Sequence, residues 1–249
     1  MQDLIQTIEE TSLTVWPSLQ QIFYDGWLLR FSEGFTDAGN SIASLHKGTI
    51  DDRHKIKICE HHYSEMGLRP SFRISPLTQP EDLDSILKNL GYLQSPRTSV
   101  QTVRLPSHQT LSITTVKSSS EPSDEWFDAA VLFNHIPEHH QQTYRCILEK
   151  IPGEKCFMSL YQDDWLCACG FATIIHSCVA LHDLASRHEV ENKGYSRQLA
   201  LNLLHWASSR QGAVAYLDVP LSDPQAGNLA SSVGFKELYQ YWYRAKTSD

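Results

Sequence analysis

The segment that most restricts this 249-residue chain is VALHDLASRHEVENKGYSRQLALNLLHWA, from Val179 to Ala207. It reads as an apolar strand, a polar turn carrying Gly194, and a helix with Leu199, Ala200, Leu203, Leu204 and Ala207 on one face. A helix that begins at such a turn has backbone N–H groups without intrahelical partners, aimed where an anion can sit. Gly194 permits close backbone approach, while Lys193 and Arg197 bring positive charge to the same rim. A pyrophosphate fits this turn. An ordinary strand–helix turn with solvated basic residues has the same local pattern, so the rest of the chain must decide.

The bulk numbers narrow the field. With 41% hydrophobic residues the chain can bury a core as one large domain or two small ones. Lys and Arg total 21 against 29 Asp and Glu, a net charge of -8. A sequence-independent nucleic-acid binder needs the opposite balance, so no nucleic-acid partner is expected. The start MQDLIQTIEETSL lacks the basic, apolar and small-residue regions of a signal peptide, and no run approaches the roughly 18–20 apolar residues of a membrane span. Six cysteines are diluted over the chain, and reduced thiols in the cytoplasm are the expected state.

Two halves, 1–106 and 107–249, are expected to join near RLPSHQT. In the first, a helix at about 3–12 precedes strands at Asp25–Phe31 and Asn40–Leu45. A helix then starts at Asp51 or Asp52, carries Ile56, Cys59, Tyr63 and Met66 at helical spacing, and stops at Gly67. A strand at SFRIS, a helix ending at Gly91 and a strand ending at Arg104 complete it. The second half predicts a strand at LSITTV, helices at about 124–134 and 138–149, and three strands. The turn helix, the strand AVAYLDV, a helix at PQAGNLASSVG and a closing strand at KELYQYWYRAK follow. LKNLGY followed by a strand in one half matches ASSVGF followed by a strand in the other.

This layout resembles the GNAT superfamily, the acetyl-CoA-dependent N-acetyltransferases. ENKGYS, Glu191 to Ser196, resembles their phosphate-binding turn R/Q-x-x-G-x-G/A, and DVPLSDPQAGNLASSVGF with YQYWYR resembles the strand, helix and closing strand that follow. The first half, with WPSLQQIFYDGWLLRFSEGFT and Asn40-Ser41, is similar to the leader half of two-part GNAT proteins. The resemblance implies an α/β fold: a mixed, mostly antiparallel sheet flanked by helices, with a smaller GNAT-like first half. It implies transfer of an acetyl group from acetyl-CoA to an amine, of a small molecule or of a protein N-terminus or lysine, with no metal and no membrane, and a homodimer is compatible with it. Glu191, Asn192, Lys193, Gly194, Tyr195, Ser196 and Arg197 would hold the cosubstrate at the turn, and Leu184, Ala185 and Ser186 along the pantetheine.

The sequence also departs from the family. Glu191 stands where the family has Arg or Gln, and Ser196 where it has Gly or Ala. Asp223 takes the place of a CoA-contacting Asn, and Ala230 that of the Tyr many members use as general acid. These departures keep a second reading open, a GNAT-fold protein that binds acyl-CoA or a partner without turnover.

Strand alternation puts His182 on the face of Leu184, beside the pantetheine strand, and Asp183 on the other. LHDLAS resembles the histidine-bearing strand of the arylalkylamine N-acetyltransferases. His182 is therefore the expected proton acceptor and Asp183 a structural residue. Tyr239, Tyr241 and Tyr243 form an aromatic strand face that reads as core. Cys167 and Cys169 share a strand face by the same alternation, and the adjacent pairs His61-His62 and His139-His140 point apart; neither pattern has metal-site spacing. The first half has only LHKGTI between strand and helix, too short to repeat the ENKGYS turn.

Overall fold

The computed structural model describes residues 1–105, 115–191 and 193–246; the division expected at residue 106 lies outside them. The first half runs α1 (Gln2–Val15), β1 (Gln20–Tyr24), β2 (Trp27–Phe31), β3 (Ile42–Ser44), α2 (Asp52–Glu65), β4 (Ser71–Ile74), α3 (Leu83–Asn89), β5 (Leu93–Gln94) and β6 (Thr98–Arg104). The second runs β7 (Thr115–Ser119), α4 (Asp124–Phe133), α5 (Glu138–Lys150), β8 (Glu154–Gln162), β9 (Trp165–Ile175), β10 (Cys178–Ser186), α6 (Tyr195–Ser208), β11 (Val214–Pro220), α7 (Pro224–Val233) and β12 (Lys236–Ala245). The expected strand LSITTV falls within the described residues only from Thr115 onward.

Sequence chemistry explains most of these boundaries. The Asp51 carboxylate accepts from the His54 N–H and starts α2. Ile56, Cys59 and Tyr63 are buried, but Met66 is half exposed at the end of the helix rather than on its apolar stripe. The expected strand at Asp25–Phe31 is instead the second arm of a hairpin. Asp25 and Gly26 both take positive φ, making the tight turn between β1 and β2 that Asp-Gly favours.

The twelve strands form one sheet in the order β1-β2-β3-β4-β12-β6-β11-β10-β9-β8-β7, with β5 against β12. All strand pairs are antiparallel except β3 with β4 and β10 with β11. The series β1-β2-β3-β4 thus repeats β8-β9-β10-β11 in direction, and each is followed by a helix and a last strand. Those last strands are exchanged: β6 of the first half pairs with β11, and β12 of the second pairs with β4. The halves therefore share a sheet rather than merely packing side by side.

Both faces are covered, as a sheet with apolar side chains on each face requires. Leu199, Leu203 and Leu204 of α6 and Val233 of α7 bury one face, while α4 and α5 cover the other over β8 and β9. Helix α1, although N-terminal, lays Ile8 and Val15 over Cys178, Ala180 and Tyr216 of the second half. The exchanged β12 is tied in by buried polar groups: Arg73 meets Glu9 at 2.7 Å, Tyr239 Oη donates to Glu9, and Tyr241 Oη donates to Asp218. The aromatic face of β12 is core, as expected. Trp242 and Arg244 reach Asp84 of α3 at 2.7 and 2.8 Å.

Alternation fails where β9 bulges. Leu160 pairs with Ala168 and Tyr161 with Leu166, leaving Cys167 as the extra residue. Cys167 consequently packs toward α6 and Cys169 into the core under α4 and α5, on opposite faces rather than one. The rings of His139 and His140, expected to point apart, lie 4.1 Å from each other. Among the described residues no three His, Cys, Asp or Glu side chains group as metal ligands, and no helix is long and apolar enough to cross a membrane.

Candidate active site

Strands β10 and β11 pair only from Cys178 to Ala180 and then diverge. A cleft of about 720 Å³ opens between them. On its other side β10 follows β9 with a register shift between His182 and Ala185, where Gly170 faces both Asp183 and Leu184. Asp183 takes φ 52° there, a left-handed conformation that Asp tolerates better than most residues. Gly170 is required by the close approach: a Cβ on it would lie 3.0 Å from the Asp183 carbonyl oxygen and from Leu184. The bulge re-aims the strand, so His182 and Leu184 do not share the face that alternation predicts. His182 turns into a neighbouring cavity, Leu184 lines the cleft, and Asp183 borders both.

Leu184, Ala185, Ser186, Glu191, Gly194, Tyr195, Ser196, Arg197 and Asp223 line the cleft. Asn192 lies outside the described residues. Lys193 does not line the cleft: it is exposed, and its N–H is spent on the Val190 carbonyl at 3.2 Å. Gly194 precedes α6 at φ 84°, the N-cap residue carries no side chain to cap the helix, and a Cβ at Gly194 would meet nothing within 4 Å among the described residues. That is an open, N–H-bearing turn of the kind that holds phosphate. Arg197 is steadied by its Nε bond to the Ser232 carbonyl. Asp223 is engaged otherwise than expected, for its carboxylate accepts from the Gln225 and Ala226 N–H groups and starts α7. Ala230 is fully buried in the core behind the cleft. Asn228, on the same helix, lines the cleft and was not singled out by the sequence.

The neighbouring cavity, of about 180 Å³, lies between the halves. Ser12, Leu13, Trp16, Arg30 and Arg73 reach it from the first half, and His182, Asp183, Tyr216, Asp218 and Tyr243 from the second. None of the first-half residues could be found from the turn motif, because only the shared sheet brings them there. Asp183 and Asp218 line both spaces, so the cleft and the cavity adjoin at these two residues.

Their environments separate the titratable groups. Burial pushes the His182 imidazole down to about 4, so it is neutral at pH 7 but a poor proton acceptor. It stacks on Phe171 at 5.0 Å and packs against Trp16, and its Nε2 is buried without a hydrogen-bond partner. That burial weighs against the expectation that this His works as a base near its ordinary pKa. Asp183, expected to be structural, lines the site with a carboxyl raised toward neutrality. Burial raises its carboxyl to about 6, offset in part by the 2.5 Å hydrogen bond from Tyr144 Oη. Asp218 is exposed as a residue, yet desolvation around its carboxyl raises it too, against the opposing pull of Arg73 and the Tyr241 hydrogen bond.

Comparison with known proteins agrees with this architecture. Residues 3–244 match the family model described as "Probable histone acetyltransferase Rv0428c C-terminal". The chain is 28% identical to the "Uncharacterized N-acetyltransferase YobR" of Bacillus subtilis (strain 168), over 98% of this chain and 99% of that one. A GCN5-related N-acetyltransferase from Kribbella flavida superposes with a TM-score of 0.74 at 13% identity, covering 99% of this chain and 96% of the other. A tandem GNAT protein from the clavulanic acid biosynthesis pathway gives 0.58 at 11% identity, covering 78% of this chain and 70% of the other. These two likenesses show the fold, which is that of the GNAT superfamily in its two-part form. The family match over nearly the whole length, on a shared sheet with one open phosphate-type turn, places this chain in the Rv0428c C-terminal acetyltransferase family.

Proposed function

We propose that this protein is an N-acetyltransferase that moves the acetyl group of acetyl-CoA onto an amine. The observation that supports this best is the junction of cleft and cavity at Asp183 and Asp218. A thioester lying along β10 and an amine in the cavity would meet there, and such proximity is what direct transfer requires. The donor fits the residues present: Gly194 at the start of α6, with open space where a side chain would stand, suits a diphosphate, with Arg197 beside it. The edge of β10 at Leu184, Ala185 and Ser186, unpaired on the β11 side, suits a pantetheine amide chain.

When bound, acetyl-CoA supplies an activated acyl group. Asp183 takes the proton of the amine nitrogen as the new C–N bond forms and the C–S bond breaks. Asp218, held by Tyr241 at the same junction, supplies a proton to the departing sulfur, the role for which Ala230 has no side chain. One proton leaves the nitrogen and one reaches the sulfur, so charge balances. His182 packs the wall of the acceptor cavity with its ring.

The test is a pH profile of thiol release. Below about pH 6 the Asp183 carboxyl gains a proton, so kcat/KM is expected to fall there. Asp183→Asn is expected to lower kcat by about 10²–10⁴, the usual worth of a general base, and to abolish that acidic limb. His182→Ala is expected to raise the acceptor KM and keep the limb. An Asp183→Asn protein with unchanged kcat and limb would contradict the assignment.

A further inference from the structure

The two arginines of the acceptor cavity differ in how their charge is met. Arg73 is neutralised by Glu9, 2.7 Å away. Arg30 is only 3% exposed, and its guanidinium bonds to the backbone carbonyls of Leu13, Trp16 and Ala38. Among the described residues no carboxylate pairs with it. Burial draws its pKa down to about 10, which leaves it charged at neutral pH. Carbonyl dipoles fix its direction but do not cancel its charge, and a buried charge without a counter-ion is costly.

The same cavity is lined by Asp183 and Asp218, which bear carboxyls, and by apolar side chains at Leu13, Trp16 and Ala38. The volume, about 180 Å³, is that of a small-molecule site, since cavities of roughly 150 Å³ hold a benzene-sized molecule.

Building on the acetyltransferase reading, we infer that the acceptor is a small molecule bearing both an amine and a carboxylate, an amino acid or a compact relative of one. Its carboxylate pairs with Arg30, its amine faces Asp183, and its side chain lies against Trp16.

Binding to the full-length protein, followed by ligand-observed NMR with and without acetyl-CoA, tests this directly. The probes are leucine, methionine and phenylalanine against the amines left when each loses its carboxylate. The amino acids are expected to bind and to be acetylated. The amines are expected to bind roughly 10–100-fold more weakly, the range for a charged group that loses its hydrogen-bonded partner. Arg30→Lys keeps the charge but loses the fork, and is expected to weaken the amino acids without changing the amines or acetyl-CoA. Ala38→Leu fills the space beside Arg30 without removing its carbonyl partner, and is expected to exclude the amino acids even if Arg30→Lys fails to fold. Equal or tighter binding of the amines, preferential acetylation of a terminally blocked lysine peptide, or no binding of any of the three amino acids at millimolar concentration would overturn the inference. Amino-acid binding by a protein that ignores acetyl-CoA would keep the amino-acid site but overturn both the acetyltransferase reading and the role of the amino acid as its acceptor.

Discussion

The turn before α2 and the turn before α6 occupy equivalent places in the two halves, and only the second is open. In the second half, Gly194 stands at the α6 start without a side chain and meets nothing within 4 Å among the described residues. In the first half the carboxylate of Asp25 already sits on the turn. It accepts from the N–H groups of Thr49 and Ile50 at 2.9 and 3.0 Å, and pairs with the buried Lys55 at 2.9 Å. A Cβ on Gly48 would fall 1.9 Å from an Asp25 carboxylate oxygen. The first half thus supplies its own anion where the second half is left to receive one. A protein carboxylate has converted a binding turn into a structural joint, which explains physically why one half presents a cleft and the other does not.

The comparison is most sharply broken at Asp183, where the largest effect is expected. Besides the loss of kcat described above, Asp183→Asn is expected to raise Tm at pH 7. A carboxyl whose folded pKa is raised destabilises the folded state once it must ionise. That cost is absent below the unfolded value near 4 and complete above about 6. The Tm advantage of the variant should therefore vanish when scans are run at acidic pH. The anion of the first-half turn, Asp25, has no such trade, since donors hold its carboxyl down.

Next come paired glycine substitutions. Gly194→Ala is expected to weaken acetyl-CoA binding tenfold or more while costing about 1 kcal/mol of stability, because a Cβ enters the left-handed region and the space over the turn. Gly194→Val adds a β-branch to that strain, so loss of binding in it must be read beside its Tm. Gly48→Ala is expected to do the reverse, lowering Tm by expelling Asp25 and leaving the acetyl-CoA affinity as in the wild type. Calorimetry and thermal scans of the two variants check both. Equal losses of affinity would erase the distinction between the turns.

Much of the second half was legible in the sequence because its signals are local. An apolar strand, Gly194 and an amphipathic helix follow one another in fewer than thirty residues, and a leading half was visible in the same way. What escaped depends on distance or on strain. The exchange of β6 and β12 pairs strands remote in sequence, and no local pattern records a partner. The bulge at Asp183 reverses the expected faces of His182 and Asp183, and its only sequence trace is Gly170 on the neighbouring strand. Trp16, Arg30 and Arg73 reach the site only through the shared sheet. Glu9 left a faint signal, a carboxylate beside Ile8 on the face of α1 that is buried.

A smaller effect is expected at Asp25. Backbone donors at Thr49 and Ile50, and then Lys55, hold its carboxyl well below the usual range. A depressed carboxyl contributes stability above its unfolded pKa and loses it as pH falls toward the folded value. Asp25→Asn is expected to lower Tm at pH 7, with the gap to wild type narrowing below about pH 4. Its acetyl-CoA affinity should not change. The smallest effect belongs to Gly91→Ala, which places a Cβ in open space at φ 85° and should cost only about 1 kcal/mol, with no change in activity.

Hydrogen exchange of the intact protein with and without acetyl-CoA tests the central claim most directly, because it asks which of the two turns takes the ligand. One acetyl-CoA per chain is expected, with new protection at residues 184–186 and 195–197 and none at 46–52. Protection at 46–52, or saturating acetyl-CoA that leaves 195–197 unchanged, would contradict the assignment of the open turn.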